Sequence, residues 1–244
     1  MSEKKPFEIA RETLKQLTAR KLVMAQSHRE ALVNASLLMN IGMARDQDSL
    51  ARQNSAPTDW QRKLIQEHPV KSVDILQGFG FDDPDVLDLV RWHHEPGTFQ
   101  GLESMVLARH VLAMADSFIA KMAGRKTRVS MSPVKAVKTM VMGAEGIGLG
   151  VGSAMAQAAG FYPPGTYVKL ANGETALSVQ RGERANTPWI ISILDKDGVA
   201  LGKWVCKETT TPATTIASAV TAENVRVTVN IDKIRKARER IHRL

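Results

Sequence analysis

The chain has 244 residues, 43% of them hydrophobic and 24% charged, the balance of a soluble globular protein long enough to bury a sizeable core. No run approaches the roughly 20 apolar residues of a bilayer span, so membrane insertion is not expected, and the single cysteine, Cys206, excludes an internal disulfide. The formal net charge of +8 favours an anionic partner: a phosphate ligand, nucleic acid or an acidic protein surface.

The first residues lead into a charged amphipathic segment with no secretory signal, so a reducing cytoplasm is the expected location. Residues 6–23 place Phe7, Ile9, Ala10, Leu14, Leu17 and Leu22 near helical spacing. A second helix is predicted over 28–40, with Ala31, Leu32, Ala35, Leu38 and Met39 on one face and Ile41-Gly42 as its stop. Residues 46–56 are polar and predicted to be a loop. Pro57, Thr58 and Asp59 supply helix-start chemistry, and Pro69 predicts a bend directly after His68, with a helix on either side.

Asp83-Pro84 opens a further helix whose apolar residues Val86, Leu87, Leu89, Val90 and Trp92 deliver His93 and His94 at its end. Residues 102–122 form the longest periodic segment, and one acid, Asp116, sits within its apolar stripe. Helices are predicted over 133–142 and 151–159. The glycines between 143 and 150 read as a loop and not as a phosphate cradle, because no strand precedes them and no Lys-Ser or Lys-Thr pair follows.

At Tyr162 the pattern changes to alternation. Residues 166–170, an Asn172-Gly173 turn and residues 175–179 predict a β-hairpin. A second pair is predicted from 189–194 and 199–205 around Asp197-Gly198, with a final strand at 225–229. The basic segment 231–244 reads as a solvated terminal helix rather than a nucleic-acid arm, so nucleic acid is not an expected partner. The expected fold is mainly α: an N-terminal amphipathic helix (1–27), a helical bundle (28–160), a small β subdomain (161–230) and a basic C-terminal helix (231–244).

Four side chains suited to a metal fall on helix ends or an apolar helical face: His68, His93, His94 and Asp116. Neutral imidazoles with a carboxylate suit iron, zinc, manganese or nickel. The alternative is a set of satisfied structural histidines.

The ordered set of His68-Pro69, residues 90–95 ending in His93-His94-Glu95, residues 113–118 around Asp116, Arg125 and Arg128 with Ser132-Pro133, and the segment 160–174 resembles an HD-GYP domain over roughly residues 31–205. That family consists of HD-like helical phosphohydrolases of bacterial cyclic-dinucleotide signalling, in which histidines and aspartates gather two or three metal ions against a cyclic-di-GMP phosphodiester. The resemblance implies that His68, His93 and His94 occupy one metal position, that Asp116 belongs to its neighbour, and that Arg125 and Arg128 face phosphate.

The departures from the family pattern point one way. Its His-Asp pair and following basic residue are replaced here by Met39, Asn40 and Met43, and a thioether and an amide do not replace those ligands. No histidine precedes His28, which lies too near Met39 to supply the expected upstream ligand. The loop after Glu95 is shortened, and the Gly-Tyr-Pro signature is missing. The resemblance therefore implies at most one transition metal and no multinuclear site. Three readings follow: a degenerate binding or regulatory module with impaired phosphodiesterase activity, an active single-metal phosphohydrolase, or a non-catalytic interaction scaffold. A cyclic dinucleotide is the expected small-molecule ligand. The segment 7–17 resembles the leading helix of some diguanylate cyclases, which makes such a cyclase, or a second copy of the chain, the expected protein partner; the alternative is a helix that merely covers the bundle.

Overall fold

A computed structural model describes residues 18–19, 21–122, 131, 133–221, 224–225, 227 and 229–238. Arg125, Arg128, most of the expected N-terminal helix and the last six residues lie outside them. The chain divides into two compact units, one of residues 1–131 with 139–155 and one of 132–138 with 156–244. The first is helical and the second carries an antiparallel sheet. No helix among the described residues is long and apolar enough to cross a membrane.

Elements described in the helical unit include Gln26–Leu38 (α1), a 3-10 turn at Ile41–Met43, Ala44–Arg52 (α2) and Asp59–Gly78 (α3). Pro84–Trp92 (α4) and, after a 3-10 turn at Glu103–Met105, Val106–Met122 (α5) follow. Pro133–Met142 (α6) and Ile147–Ala159 (α7) are each divided between the two units. The core of the helical unit joins Ala31, Leu32 and Ala35 of α1 to Val86, Leu89 and Val90 of α4 and Ala108, Val111 and Leu112 of α5. Each large aliphatic side chain buried in this way contributes about 1.5–3 kcal/mol relative to exposure, so this seam fixes how α4 is presented.

The helix starts follow from sequence. Thr58 and Gln61 form a reciprocal capping box at α3, and the Asp83 carboxylate accepts the amides of Asp85 and Val86 at α4, where Pro84 needs no donor. Three expectations for this unit are corrected. Residues 46–56 are not all loop: α2 runs through Arg52, with Asp46 in its first turn, Arg52 in its last and an exposed Arg52–Asp48 ion pair, a charge order that favours the helix dipole. The glycine-rich stretch is helical from Ile147, because the buried residues Val151, Ala154 and Met155 organise the helix beyond its weak formers. Pro69 does not divide its segment either, since α3 continues unbroken through it.

The 3-10 turn lies hard against α3. Ser72, fully buried, accepts the Gly42 amide at 3.0 Å and donates to the Met39 carbonyl at 2.9 Å. A Cβ on Gly42 would lie 2.6 Å from the His68 carbonyl oxygen and 2.8 Å from the Ser72 nitrogen, so glycine is required here by close approach.

In the second unit Tyr167–Leu170 (β1), Thr175–Gln180 (β2), Trp189–Leu194 (β3), Cys206–Glu208 (β4) and Ile216–Val220 (β5) form one antiparallel sheet in the order β4-β3-β2-β1-β5. The Asn172-Gly173 turn closes the first hairpin as expected, with Gly173 at φ +85°. Two strand expectations are corrected. Residues 199–205 make only a bridge at Ala200, and β3 instead pairs with Cys206–Glu208. The strand at 225–229 is absent among the described residues, where Val225 and Val229 pack as loop residues on Leu177, Val179, Ile191 and Ile193 beside Ile234 of Ile231–Arg238 (α8). The fifth strand is β5, whose sparsely buried sequence carries little hydrophobic alternation.

Candidate metal centre

Two helices bring three imidazoles together. His68 lies within α3, His93 caps the C-terminus of α4, and His94 follows it. Their ligand atoms all lie within 4.8 Å of one another, a cluster able to hold a metal ion. His68 and His93 are buried at 1% exposure each, whereas His94 is exposed.

The orientation of the buried pair comes from local backbone chemistry. Pro69 has no amide hydrogen, so the Ile65 carbonyl lacks its usual helical donor, and His68 Nδ1 lies 2.6 Å from that oxygen. At the end of α4 the Val90 carbonyl lies 2.8 Å from His93 Nδ1. A carbonyl only accepts, so both rings carry their proton on Nδ1 and leave Nε2 as a bare lone pair. Those two Nε2 atoms face each other at 3.1 Å.

Two acceptors at that distance repel unless something electrophilic lies between them. Two metal–nitrogen bonds of about 2.0–2.1 Å, meeting at right or tetrahedral angles, place their nitrogens about 2.8–3.4 Å apart. The buried pair therefore fits a single metal ion in identity, tautomer and spacing, with the backbone carbonyls in the supporting role that fixes ligand orientation, and a ligand atom of His94 lies within 4.8 Å of both.

Burial is the main cause that holds both imidazoles neutral. It lowers His68 from the usual histidine value, the Ile65 hydrogen bond opposing it, and lowers His93 to about 3, reinforced by the neighbouring charge of His94. Asp116, half-buried on α5, opposes both shifts electrostatically, yet it stands outside the 4.8 Å set. A pH dependence follows. The unfolded chain takes up a proton on residue 93 near pH 6.5, while the folded chain resists until about pH 3. The contribution of His93 to the stability of metal-free protein is thus fully present above about pH 6.5 and is lost with acidification, at up to ~1.4 kcal/mol per pH unit. Urea unfolding with chelator at pH 7.5 and 5.5 measures it; His93→Gln should show a visibly flatter dependence, and parallel curves would contradict the assignment.

The positions read as lost ligands lie along the turn packed on α3. Met39 is fully buried in the apolar core, and Asn40 and Met43 are half-buried at either end of the 3-10 turn.

A further buried polar group was missed in the sequence. Arg109, on α5 at 0% exposure, places Nη1 at 3.0 and 2.7 Å from the two carboxylate oxygens of Asp88 on α4. Its donors also reach the carbonyls of Pro96, Thr98 and Leu102 at 3.1, 3.3 and 3.1 Å. The signal was available: Asp88 and Arg109 interrupt apolar helical faces just as Asp116 does.

No protein-family model matches this sequence, and no curated protein matches it.

Proposed function

We propose that the chain is a degenerate HD-GYP-like module of cyclic-dinucleotide signalling, a binding or regulatory protein with an HD-like helical fold that holds one transition-metal ion and has impaired or no phosphodiesterase activity. The observation that carries the metal reading is the pair of Nε2 lone pairs converging at 3.1 Å, each with its Nδ1 committed to a backbone carbonyl. His68 and His93 are the buried ligands, and His94 completes the set from the solvent side. When bound, such an ion supplies Lewis acidity toward water or a phosphoryl oxygen.

Impairment is argued from charge. Two neighbouring dications need an anionic bridge; Asn40 is neutral, Met39 lies in the core, and Asp116, though near enough to act electrostatically on His68 and His93, is not one of the three clustered ligands. Arg125 and Arg128 are the proposed phosphate contacts, supported by the sequence resemblance.

The test combines metal content with turnover. Purified protein should carry about one transition-metal ion per chain, His93→Ala with His94→Ala should carry almost none, and cyclic-di-GMP should persist with either. Equal metal in both proteins would refute the centre. Two ions per chain would refute the single-ion reading, and hydrolysis abolished by the double substitution would replace the regulatory module with a working phosphohydrolase.

A further inference from the structure

We propose that the buried Asp88–Arg109 pair is a positioning device for His94, pinning the chain on both sides of the His93-His94 dyad so that the exposed third ligand is held ready for an ion. This rests on the reading of the three histidines as a metal centre. The dyad lies where helical hydrogen bonding gives out: α4 ends at Trp92, and the next regular element is the 3-10 turn at Glu103–Met105. His68 and His93 are each fixed by burial and a carbonyl bond, whereas His94 is exposed and depends on the path of its backbone.

The ion pair grips that path at both ends. Asp88 belongs to α4, ahead of the dyad, and its Oδ1 also accepts the Leu102 amide at 2.7 Å. Arg109 holds Pro96, two residues after His94, through Nε at 3.1 Å, and then Thr98 and Leu102. The fit is close, since a Cβ on Gly101 would lie 2.1 Å from Arg109 Nη1 and 2.6 Å from Asp88 Oδ1. A planar guanidinium can serve a carboxylate and several carbonyls at once, and a lysine ammonium cannot reproduce that fork. Groups that orient a ligand without touching the ion typically govern metal affinity by about 10–100-fold.

The test is a double-mutant cycle read by cobalt(II) titration of metal-stripped protein, with folding checked by circular dichroism. Arg109→Lys should weaken cobalt binding about 10–100-fold in the wild-type background and less than about threefold when His94→Ala is already present. Gly101→Ala, which wedges the pair apart without removing a charge, should reproduce the same background dependence and carries the test if Arg109→Lys does not fold. Wild-type, metal-free protein supplies a third readout: the Leu102 amide should already exchange slowly, with little added protection from cobalt. An unchanged affinity, equal losses in both backgrounds, or fast exchange of Leu102 until metal arrives would each overturn the proposal. A wild-type protein that takes up no cobalt would instead remove the metal centre itself, and this role with it.

Discussion

Replacing Asp88 with alanine is expected to destabilise the fold by about 3–5 kcal/mol, because it strands a guanidinium that has no access to water. The carbonyls of Pro96, Thr98 and Leu102 would still accept from Arg109, but none of them carries the compensating charge. Against a typical domain stability of about 5–15 kcal/mol, such a loss is large enough to lower expression as well as the unfolding midpoint. Exposed pairs such as Arg62–Asp59 contribute about 0–1 kcal/mol, so Asp59→Ala is the matched control. Replacing both partners, Asp88→Leu with Arg109→Met, should cost less than Asp88→Ala alone, since no orphan charge remains. Urea denaturation of these variants decides the matter. A loss below 1 kcal/mol for Asp88→Ala would mean that water reaches Arg109.

The second large effect is expected at Gly42. An alanine there brings its methyl to 2.6 Å from the His68 carbonyl oxygen and 2.8 Å from the Ser72 nitrogen, both backbone atoms of a continuous helix that cannot swing aside. Forced overpacking of this kind costs about 1–3 kcal/mol. Moving the turn away from α3 instead sacrifices the two Ser72 hydrogen bonds, each worth about 0.5–1.5 kcal/mol. Gly97→Ala, where an added Cβ meets nothing within 4 Å, should stay within about 0.5 kcal/mol of wild type. Thermal melts that rank the two glycine variants equally would contradict the close approach.

Much of the architecture was legible because it depends on local chemistry. Caps at Thr58 and Asp83, the apolar period of α4 and α5, and the Asn172-Gly173 turn all act within a few residues of themselves. The same local signals put His93-His94 at the end of a helix but His68 at a break between two, and the structure brings the three together with His68 inside one unbroken helix. What escaped depends on partners distant in sequence. α2 is a charged helix whose apolar residues are few, so its composition resembled a loop. β4 and β5 are edge strands whose register is set by β3 and β1, and hydrophobic alternation is weakest where only one neighbour exists. Asp88 and Arg109 were each visible as charges on apolar faces, but their pairing spans the loop and depends on how α4 meets α5. Pro69 misled for a subtler reason: the carbonyl it leaves without an amide partner is taken by a side chain, and the proline rule says nothing about where that acceptor goes.

On the proposed metal reading, the proline at position 69 thus sets helix strength against ligand fidelity. Any other residue there would return a main-chain hydrogen to compete for the Ile65 oxygen, tightening the helix while freeing the His68 imidazole to flip and offer its other nitrogen. Selection for heat resistance alone would discard this proline, and selection for ion capture would keep it.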